Sequence, residues 1–420
     1  MKLLFIECAS LGHQFAQENI GDDLLGMPLM KLKPIFPDVT CTVQATLKTG
    51  KPPSDHGIIC NGYFNRELRK TYFWEQSSQL ISGERWFQQG RKTGKTVGIT
   101  FVQQSLGEEV DIVFSPQPIH KHHGGMIFDS LTLPSELKES LRSRLGKFPL
   151  FKYWGPLAGI QSSRWIALST SIILEEYSPD LFFTYIPHLD YALQKFGTQH
   201  NKSRKSAIEF RDLVLPMLRE AKELGYKIIL FGDSAIEDVK GVLYPNKILA
   251  EHGFLKLRNI EGMLYPDFFY TPAFALCDHQ ISHVYCNPSC IETLAEVFEN
   301  TKGIEEVFTG NAINMAGLNH QKSGEIILKA AQGMWFAYSW WDRKSQKPEY
   351  ASHMDIHNKP GFDPAELFFG FPPPSTCTDF SKVKGTHGAG RNPLALYSDL
   401  IDKDTDLYSM INEVALKWMA

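Results

Sequence analysis

Four short, mostly apolar runs constrain the fold of this chain more than any other feature of its sequence. They lie at residues 3–6, 96–101, 181–186 and 227–231. Their apolar residues are continuous and do not alternate with polar ones, a pattern typical of parallel strands that are buried on both faces. We therefore expect these runs to form parallel strands at the core of the fold.

Amphipathic helical stretches lie between these runs. The clearest spans residues 203–224, where Ile208 and Leu218 belong to a set with near-helical spacing and Gly225 closes the stretch. The order of strand, helix and strand predicts a doubly wound α/β core. Ligands of such cores bind at the carboxyl ends of the strands. Acidic residues stand at three of these ends or just beyond them: Glu7, Asp190 and Asp233.

The character of the sequence changes after about residue 254. The stretch 255–345 predicts a small α+β unit, and the stretch 103–159 predicts an irregular cover over the core. We therefore expect a core of residues 1–254 that carries the nucleophile and metal motifs. An α+β cap of residues 255–345 follows, and residues 346–420 return to the core.

Composition excludes several classes of protein. A hydrophobic fraction of 43% excludes a disordered chain, and a net charge of −4 gives no reason to expect nucleic acid or an anionic membrane as a partner. No stretch reaches the roughly 18 apolar residues of a membrane helix. Glu7 ends the first apolar run too early for a signal peptide. The seven cysteines suggest no disulfide framework, so we expect a cytoplasmic protein.

Thr40 is the first candidate for a chemical role. It stands where a short helix is expected to begin, before Gly50. Threonine commonly caps helices, so Thr40 could serve only as an N-cap. It could also be a nucleophile, since a helix N-terminus offers free N–H groups and a positive dipole to a phosphate and to a developing alkoxide.

An ordered set of residues runs from Pro37 and Thr40 to His56-Gly57-Ile58 and Asn61. This set resembles the type I phosphodiesterase/nucleotide pyrophosphatase branch of the alkaline phosphatase superfamily. The nucleophile of that family maps to Thr40. The matching residues, in order, are Pro37, Thr40, Thr49-Gly50, Pro53, His56-Gly57-Ile58 and Asn61. Three later segments are similar to its metal motifs: Asp190 to Gln194, Asp233-Ser234, and His387-Gly388.

The chain departs from the family pattern at three ligand positions. Glu7 stands where the family has Asp, while Gln194 and Ser234 stand where it has His. The resemblance implies a divalent metal site of one or two ions formed by Glu7, Thr40, Asp190, Asp233 and His387, with Gln194 as a weaker ligand. Such an oxygen-rich set favours Mg²⁺ or Mn²⁺, although Zn²⁺ is possible.

Three further residues are less certain candidates. His357 lies in a Gly/Pro loop and is either a metal ligand or a surface residue. His279 is either part of a polar turn before a strand or a substrate contact from the cap. Asn61 is a candidate for substrate binding through the family motif.

The resemblance implies an alkaline-phosphatase-like doubly wound, mostly parallel sheet with helices on both faces and a small α+β cap. It also implies a metal-dependent hydrolase of a phosphate ester, phosphodiester, pyrophosphate or phosphonate, with a small phosphorylated substrate. The alternative is a catalytically degenerate protein of the same fold that binds or scaffolds, because three ligand positions are substituted. A nucleotide-dependent α/β enzyme is less supported, since neither glycine-rich nucleotide motif is present.

Overall fold

The computed structural model describes residues 1–123 and 125–420, and a ten-stranded sheet lies at its centre. Five adjacent strands in the middle run parallel, and antiparallel pairs flank them on both sides. The spatial order is Ser130–Leu133, Ile112–Pro116, Val97–Thr100, Leu181–Ile186, Lys2–Cys8, Tyr226–Gly232, Leu394–Ser398, Met27–Lys33 and Asp23–Leu24, with Thr405–Asp406 also paired to Met27–Lys33.

The four apolar runs are four neighbouring strands of the parallel part, so this prediction is confirmed. Their side chains are buried on both faces: Leu3 and Leu4, which point to opposite faces, are both fully inaccessible to solvent. Burial on both faces explains why the runs are continuous in sequence.

The prediction for residues 103–159 is partly wrong. This stretch supplies two strands of the central sheet, Ile112–Pro116 and Ser130–Leu133. The connection from Val97–Thr100 to Ile112–Pro116 contains no helix, although the two strands are parallel. The alternation of strand and helix that reveals a doubly wound core is therefore missing from this part of the sequence.

Helices pack against the sheet in two groups, with contacts inside each group. One group includes Ile160–Glu176, His188–Phe196 and Asn201–Glu223, and the other includes Thr40–Thr49, Gln88–Lys92 and Leu407–Met419. The remaining helices are His13–Asn19, Pro53–His56, Leu137–Leu145, Pro245–Glu251, Ile291–Glu299 and Asn311–Met315. Among the described residues, none of the helices combines the length and the hydropathy needed to cross a bilayer.

A second sheet of four antiparallel strands stands apart from the central one. Its strands, in spatial order, are Ala273–Asp278, Ile281–Cys286, Ile326–Ala330 and Ile304–Thr309. Its hydrophobic core also includes Val39 and Phe64 from early in the chain and Phe380 from late in it. The division into residues 1–254, 255–345 and 346–420 stays a prediction.

Five two-stranded pairs contain the remaining strands of the described residues. They are Gly62–Asn65 with Lys70–Phe73, Ile119–His120 with Met126–Ile127, Glu237–Asp238 with Gly385–Thr386, Gly241–Leu243 with Met334–Phe336, and Leu257–Ile260 with Met263–Pro266. The pair that includes Gly385–Thr386 brings the late His387 next to the segment that follows Asp233.

Candidate active site

A cavity of about 940 Å³ opens at the carboxyl ends of three central strands. Phe101, Pro116 and Tyr185 line it from the ends of Val97–Thr100, Ile112–Pro116 and Leu181–Ile186. Six of the residues singled out from the sequence also line it: Thr40, Asp190, Gln194, His279, His357 and His387.

Thr40 is the first residue of the helix Thr40–Thr49 and does not cap it. Val39 occupies the N-cap position, and its own side chain makes no capping hydrogen bond. The Thr40 hydroxyl instead donates a hydrogen bond of 2.9 Å to Asp233 Oδ2. The interpretation of Thr40 as an N-cap is therefore wrong, because a carboxylate from a distant strand end holds its side chain.

Asp233 follows the strand Tyr226–Gly232 and is fully buried. Its Oδ1 accepts hydrogen bonds from the backbone N–H of Ser10 at 2.9 Å and from the Ser234 hydroxyl at 2.8 Å. Burial raises the pKa of Asp233, and the nearby His387 opposes that rise.

Ser10 links Asp233 to the second predicted carboxylate. While its N–H binds Asp233, its hydroxyl donates a hydrogen bond of 2.7 Å to Asp190 Oδ1. Ser10 adopts a left-handed backbone conformation with a φ of 57°, which places both donors in the site. Sequence reasoning missed this residue, although a polar residue just beyond the first buried strand was a usable signal.

Asp190 and Gln194 lie one turn apart on the helix His188–Phe196. Gln194 Nε2 donates a hydrogen bond of 2.7 Å to Asp190 Oδ2. The other amide atom, Gln194 Oε1, is buried and has no hydrogen-bond partner among the described residues.

Glu7 lies in the strand Lys2–Cys8 and contacts the helix Thr40–Thr49. Its Oε1 accepts a hydrogen bond of 3.0 Å from Gln44, one helical turn after Thr40, while its Oε2 is buried without a described partner. Burial raises the pKa of Glu7 well above its ordinary value, and Asp233 adds to that rise. Gln44 was also missed, because only the fold brings it against the first strand.

His387 and His279 face each other with their ring centroids 4.0 Å apart. His387 Nδ1 donates to the Asp38 carbonyl at 2.9 Å. His279 Nδ1 lies 2.7 Å from Asp278 Oδ1. Burial lowers the pKa of His279 to about 4, and the nearby His387 contributes to the decrease, so the His279 ring is neutral near pH 7.

Asn61 is not among the residues that line the cavity. Its backbone N–H and its side-chain amide donate to Asp278 at 2.8 and 3.2 Å, and its Oδ1 accepts from the Cys41 N–H at 2.9 Å. Asn61 therefore ties the first turn of the Thr40 helix to the Asp278–His279 pair.

His357 lines another part of the cavity wall. Its Nδ1 donates to the Phe73 carbonyl at 3.0 Å. Its ring centroid lies 6.1 Å from that of His120. The contacts of His357 thus differ from those of Asp190, Asp233 and Thr40, which form one hydrogen-bonded network through Ser10.

The charged side chains of this site are acidic and are suited to binding a cation. None of the described residues that line the cavity is Lys or Arg, whereas Asp190 and Glu75 are acidic and Glu7 and Asp233 lie beneath. Two buried acceptor oxygens, Glu7 Oε2 and Gln194 Oε1, have no partner in the part of the chain that the structure describes. Unpaired buried oxygens among carboxylates are costly unless positive charge approaches them.

The chemical types of the candidate ligands indicate which metal ion the site could bind. No group of three His, Cys, Asp or Glu side chains in residues 1–123 and 125–420 is arranged to hold a metal. The expected ligands are three carboxylates and one imidazole, complemented by an amide or hydroxyl oxygen from Gln194, Thr40 or Ser234. These donors do not fit a typical zinc site, but they fit a hard ion that accepts neutral oxygens and retains water.

Comparison with known proteins supplies independent findings. The family model for "Type I phosphodiesterase / nucleotide pyrophosphatase" matches residues 27–363. The chain is similar in structure to phosphonoacetate hydrolase from Sinorhizobium meliloti 1021, with a TM-score of 0.66, 12% identity and coverage of 100% of this chain and 96% of that one. It is also similar to murine ectonucleotide pyrophosphatase/phosphodiesterase 5, with a TM-score of 0.57, 13% identity and coverage of 99% and 95%. No curated protein sequence matches the chain.

Proposed function

Since the chain belongs to the type I phosphodiesterase/nucleotide pyrophosphatase family of hydrolases, we propose that it cleaves a phosphoester or a related phosphorus bond with Thr40 as its nucleophile. The observation that carries the proposal is the 2.9 Å hydrogen bond from the Thr40 hydroxyl to Asp233, at a helix N-terminus that borders the cavity. A threonine that served only the helix would use its oxygen for a backbone N–H.

The chemistry begins with attack of Thr40 Oγ1 on phosphorus. A Thr40 O–P bond forms as the hydroxyl proton passes to Asp233 Oδ2, and the bond to the leaving group breaks, with its electron pair and that proton going to the leaving oxygen or carbon. Water then attacks the phosphoryl-threonine and regenerates the hydroxyl. Asp233 orients the hydroxyl through Oδ2, and the helix dipole favours the negative charge that develops on Oγ1.

We infer that one or two divalent ions, Mg²⁺ or Mn²⁺ rather than Zn²⁺, complete the site. Oxygens of Glu7, Asp233, Thr40 and Ser234 would hold one ion, and Asp190, Gln194 and His387 would hold the other. A bound divalent ion supplies positive charge for the nucleophile and for the phosphoryl oxygens. The unpaired oxygens of Glu7 and Gln194 support this assignment.

His279 and Asn61 are proposed to act at the substrate side of the site. The position of His279 on the cavity wall supports contact with a small phosphorylated substrate. Asn61 would act indirectly, by holding Asp278 and the first turn of the helix. A cytoplasmic location agrees with seven cysteines that form no disulfide among the described residues.

A second candidate function is that of a non-catalytic binding protein. It is favoured by one observation, which is that the described residues contain no cluster of three strong metal ligands. Direct measurement of metal content and of turnover distinguishes the two candidate functions.

The test compares the wild type with Thr40→Ala and Thr40→Ser. Turnover of a phosphomonoester and of a phosphodiester panel is measured with Mg²⁺, Mn²⁺ and Zn²⁺, alongside the metal content of the purified protein. We expect Thr40→Ala to lose at least about a thousandfold in rate, or roughly 4 kcal/mol of barrier, and Thr40→Ser to retain part of it. Equal rates in all three proteins would refute the nucleophile, and a wild type that shows neither turnover nor bound metal would support the binding protein.

A further inference from the structure

We propose that the cavity selects phosphoesters whose organic group is large, apolar and uncharged, and that it disfavours substrates with a second anionic group. This inference rests on the proposed function and deepens it, because the family resemblance leaves monoesters, diesters, pyrophosphates and phosphonates open.

Aromatic side chains form the wall next to His279. Phe362 stacks on the His279 ring at a centroid distance of 3.7 Å. Trp154 and Trp74 lie 5.8 and 6.4 Å from Phe362, and all three border the cavity. An organic group bound beside the phosphorus centre would therefore meet aromatic faces.

Tyrosines form a second wall near Asp190. Tyr153, Tyr185 and Tyr191 line the cavity, and the Tyr191 hydroxyl donates to the Tyr153 carbonyl. Phenols have an ordinary pKa of about 10, so these three side chains carry no charge near pH 7. These side chains supply a flat, neutral surface and no positive charge.

The cavity offers no cation to a second anionic group. Of its described lining residues, not one is Lys or Arg, the side chains that bind phosphates and carboxylates in proteins. Asp190 and Glu75 on its walls would repel such a group. Metal ions at the proposed sites would serve the reacting phosphoryl group, so a second charge on the substrate would lose water without compensation.

Two buried lysines lie behind these walls, and both are paired. Lys359 Nζ lies 2.7 Å from Asp363 and 2.7 Å from Glu366, and Glu366 also accepts from the indole N–H of Trp154. Lys48 Nζ donates to the carbonyls of Gln103 and Gln104 at 3.0 and 2.8 Å. These lysines fix the walls and leave no charge for a ligand.

An apolar surface continues outward from the mouth of the cavity. Phe128 and Phe151 are 48% and 44% exposed and stack at 6.4 Å. Phe151 follows the lining residue Leu150, and the half-exposed Ile119 lies between Pro118 and His120, which also line the cavity. A long organic group would remain in apolar contact where it leaves the cavity.

The test uses four diesters that share the chromogenic p-nitrophenyl leaving group and differ in the second ester group. The second groups are methyl, phenyl, n-octyl and 7-carboxyheptyl, the last two being matched in length and different by one negative charge. We expect kcat/KM for the octyl and phenyl esters to exceed that of the methyl ester by about 10- to 200-fold, the discrimination that an apolar pocket provides. The carboxyheptyl ester should fall at least about tenfold below the octyl ester.

Two variants and one control variant show which residues cause the selectivity. Trp74→Ala should reduce the preference for octyl over methyl, whereas Phe269→Ala, which removes a 69% exposed aromatic ring elsewhere, should not change it. Gln117→Lys places a cation on the exposed part of the cavity lining and should raise kcat/KM selectively for the carboxyheptyl ester.

The outcomes separate the inference from the proposed function. Turnover of all four esters with equal kcat/KM for the octyl and carboxyheptyl pair would overturn the inference and leave the hydrolase intact. If no ester is cleaved, the proposed function fails, and calorimetric titration with octylphosphonate and 7-carboxyheptylphosphonate still tests the cavity. Tighter binding of octylphosphonate would support the selectivity, and equal or weaker binding would overturn it.

Discussion

Replacement of His56 should change how the stability of the protein depends on pH. His56 is fully buried after the helix Thr40–Thr49. Its Nδ1 accepts from the Ile58 N–H at 3.1 Å, so its proton sits on Nε2, which donates to Thr46 at 3.0 Å. Burial, with His320 and Lys322 nearby, lowers the pKa of His56 to about 3.

The sign and size of the effect follow from proton linkage. In the unfolded chain His56 has its ordinary pKa of about 6.5, so below that pH the unfolded state binds more protons than the folded state. Stability is therefore lost as pH falls from about 6.5, by about 3 kcal/mol at pH 4.5 and by up to about 5 kcal/mol below pH 3. His56→Asn removes this contribution, because asparagine keeps an acceptor for the Ile58 N–H and does not titrate.

Urea unfolding followed by circular dichroism at pH 7.0 and pH 4.5 measures the effect. Between these two values the wild type should lose about 3 kcal/mol more stability than His56→Asn. The raised pKa values of Glu7 and Asp233 act in the opposite direction, but they act equally in both proteins and cancel in the comparison. Parallel pH dependences would show that His56 is not buried in its neutral form.

Two further predictions concern buried charges and the metal site. Lys359→Met leaves Asp363 and Glu366 buried without their cation and should cost about 3–5 kcal/mol in the free energy of unfolding. Lys205→Met, which removes an exposed lysine 3.7 Å from Glu209, should cost less than about 1 kcal/mol in the same urea titration. Gln194→His adds an imidazole beside Asp190 and should raise the amount of zinc that the protein retains after dialysis. Elemental analysis measures this amount. An unchanged zinc content would show that residue 194 is not a metal ligand.

Much of the fold could be predicted from the sequence because its central strands are buried on both faces. The strands at residues 3–6, 96–101, 181–186 and 227–231 follow from continuous apolar sequence alone, and the family match confirms the resemblance to type I phosphodiesterases. The strand Ile112–Pro116 was missed because no helix precedes it, so the usual alternation is absent.

The site could be predicted only in part from the sequence, because its hydrogen bonds join residues that are far apart in the chain. The sequence left Thr40 as either a helix cap or a nucleophile, and it could not show that the hydroxyl binds Asp233, 193 positions away. Ser10 and Gln44 were missed for the same reason, since their roles depend on Asp190 and Glu7 reaching them in the fold. The substrate-binding role of Asn61 stays a prediction, and its hydrogen bonds to Asp278 and Cys41 could not be inferred from the sequence.

The most direct test of the account is detection of a phosphoryl group on Thr40 during turnover. The wild type is mixed with a diester that it hydrolyses, and the reaction is quenched in acid within milliseconds. The peptides of the protein are then analysed by mass spectrometry. Thr40→Ala and Thr40→Ser serve as controls. The account predicts a phosphoryl adduct on the Thr40 peptide of the wild type, on the same peptide of the Thr40→Ser variant, and on no peptide of the Thr40→Ala variant. Turnover without an adduct, or an adduct on another residue, would contradict the account.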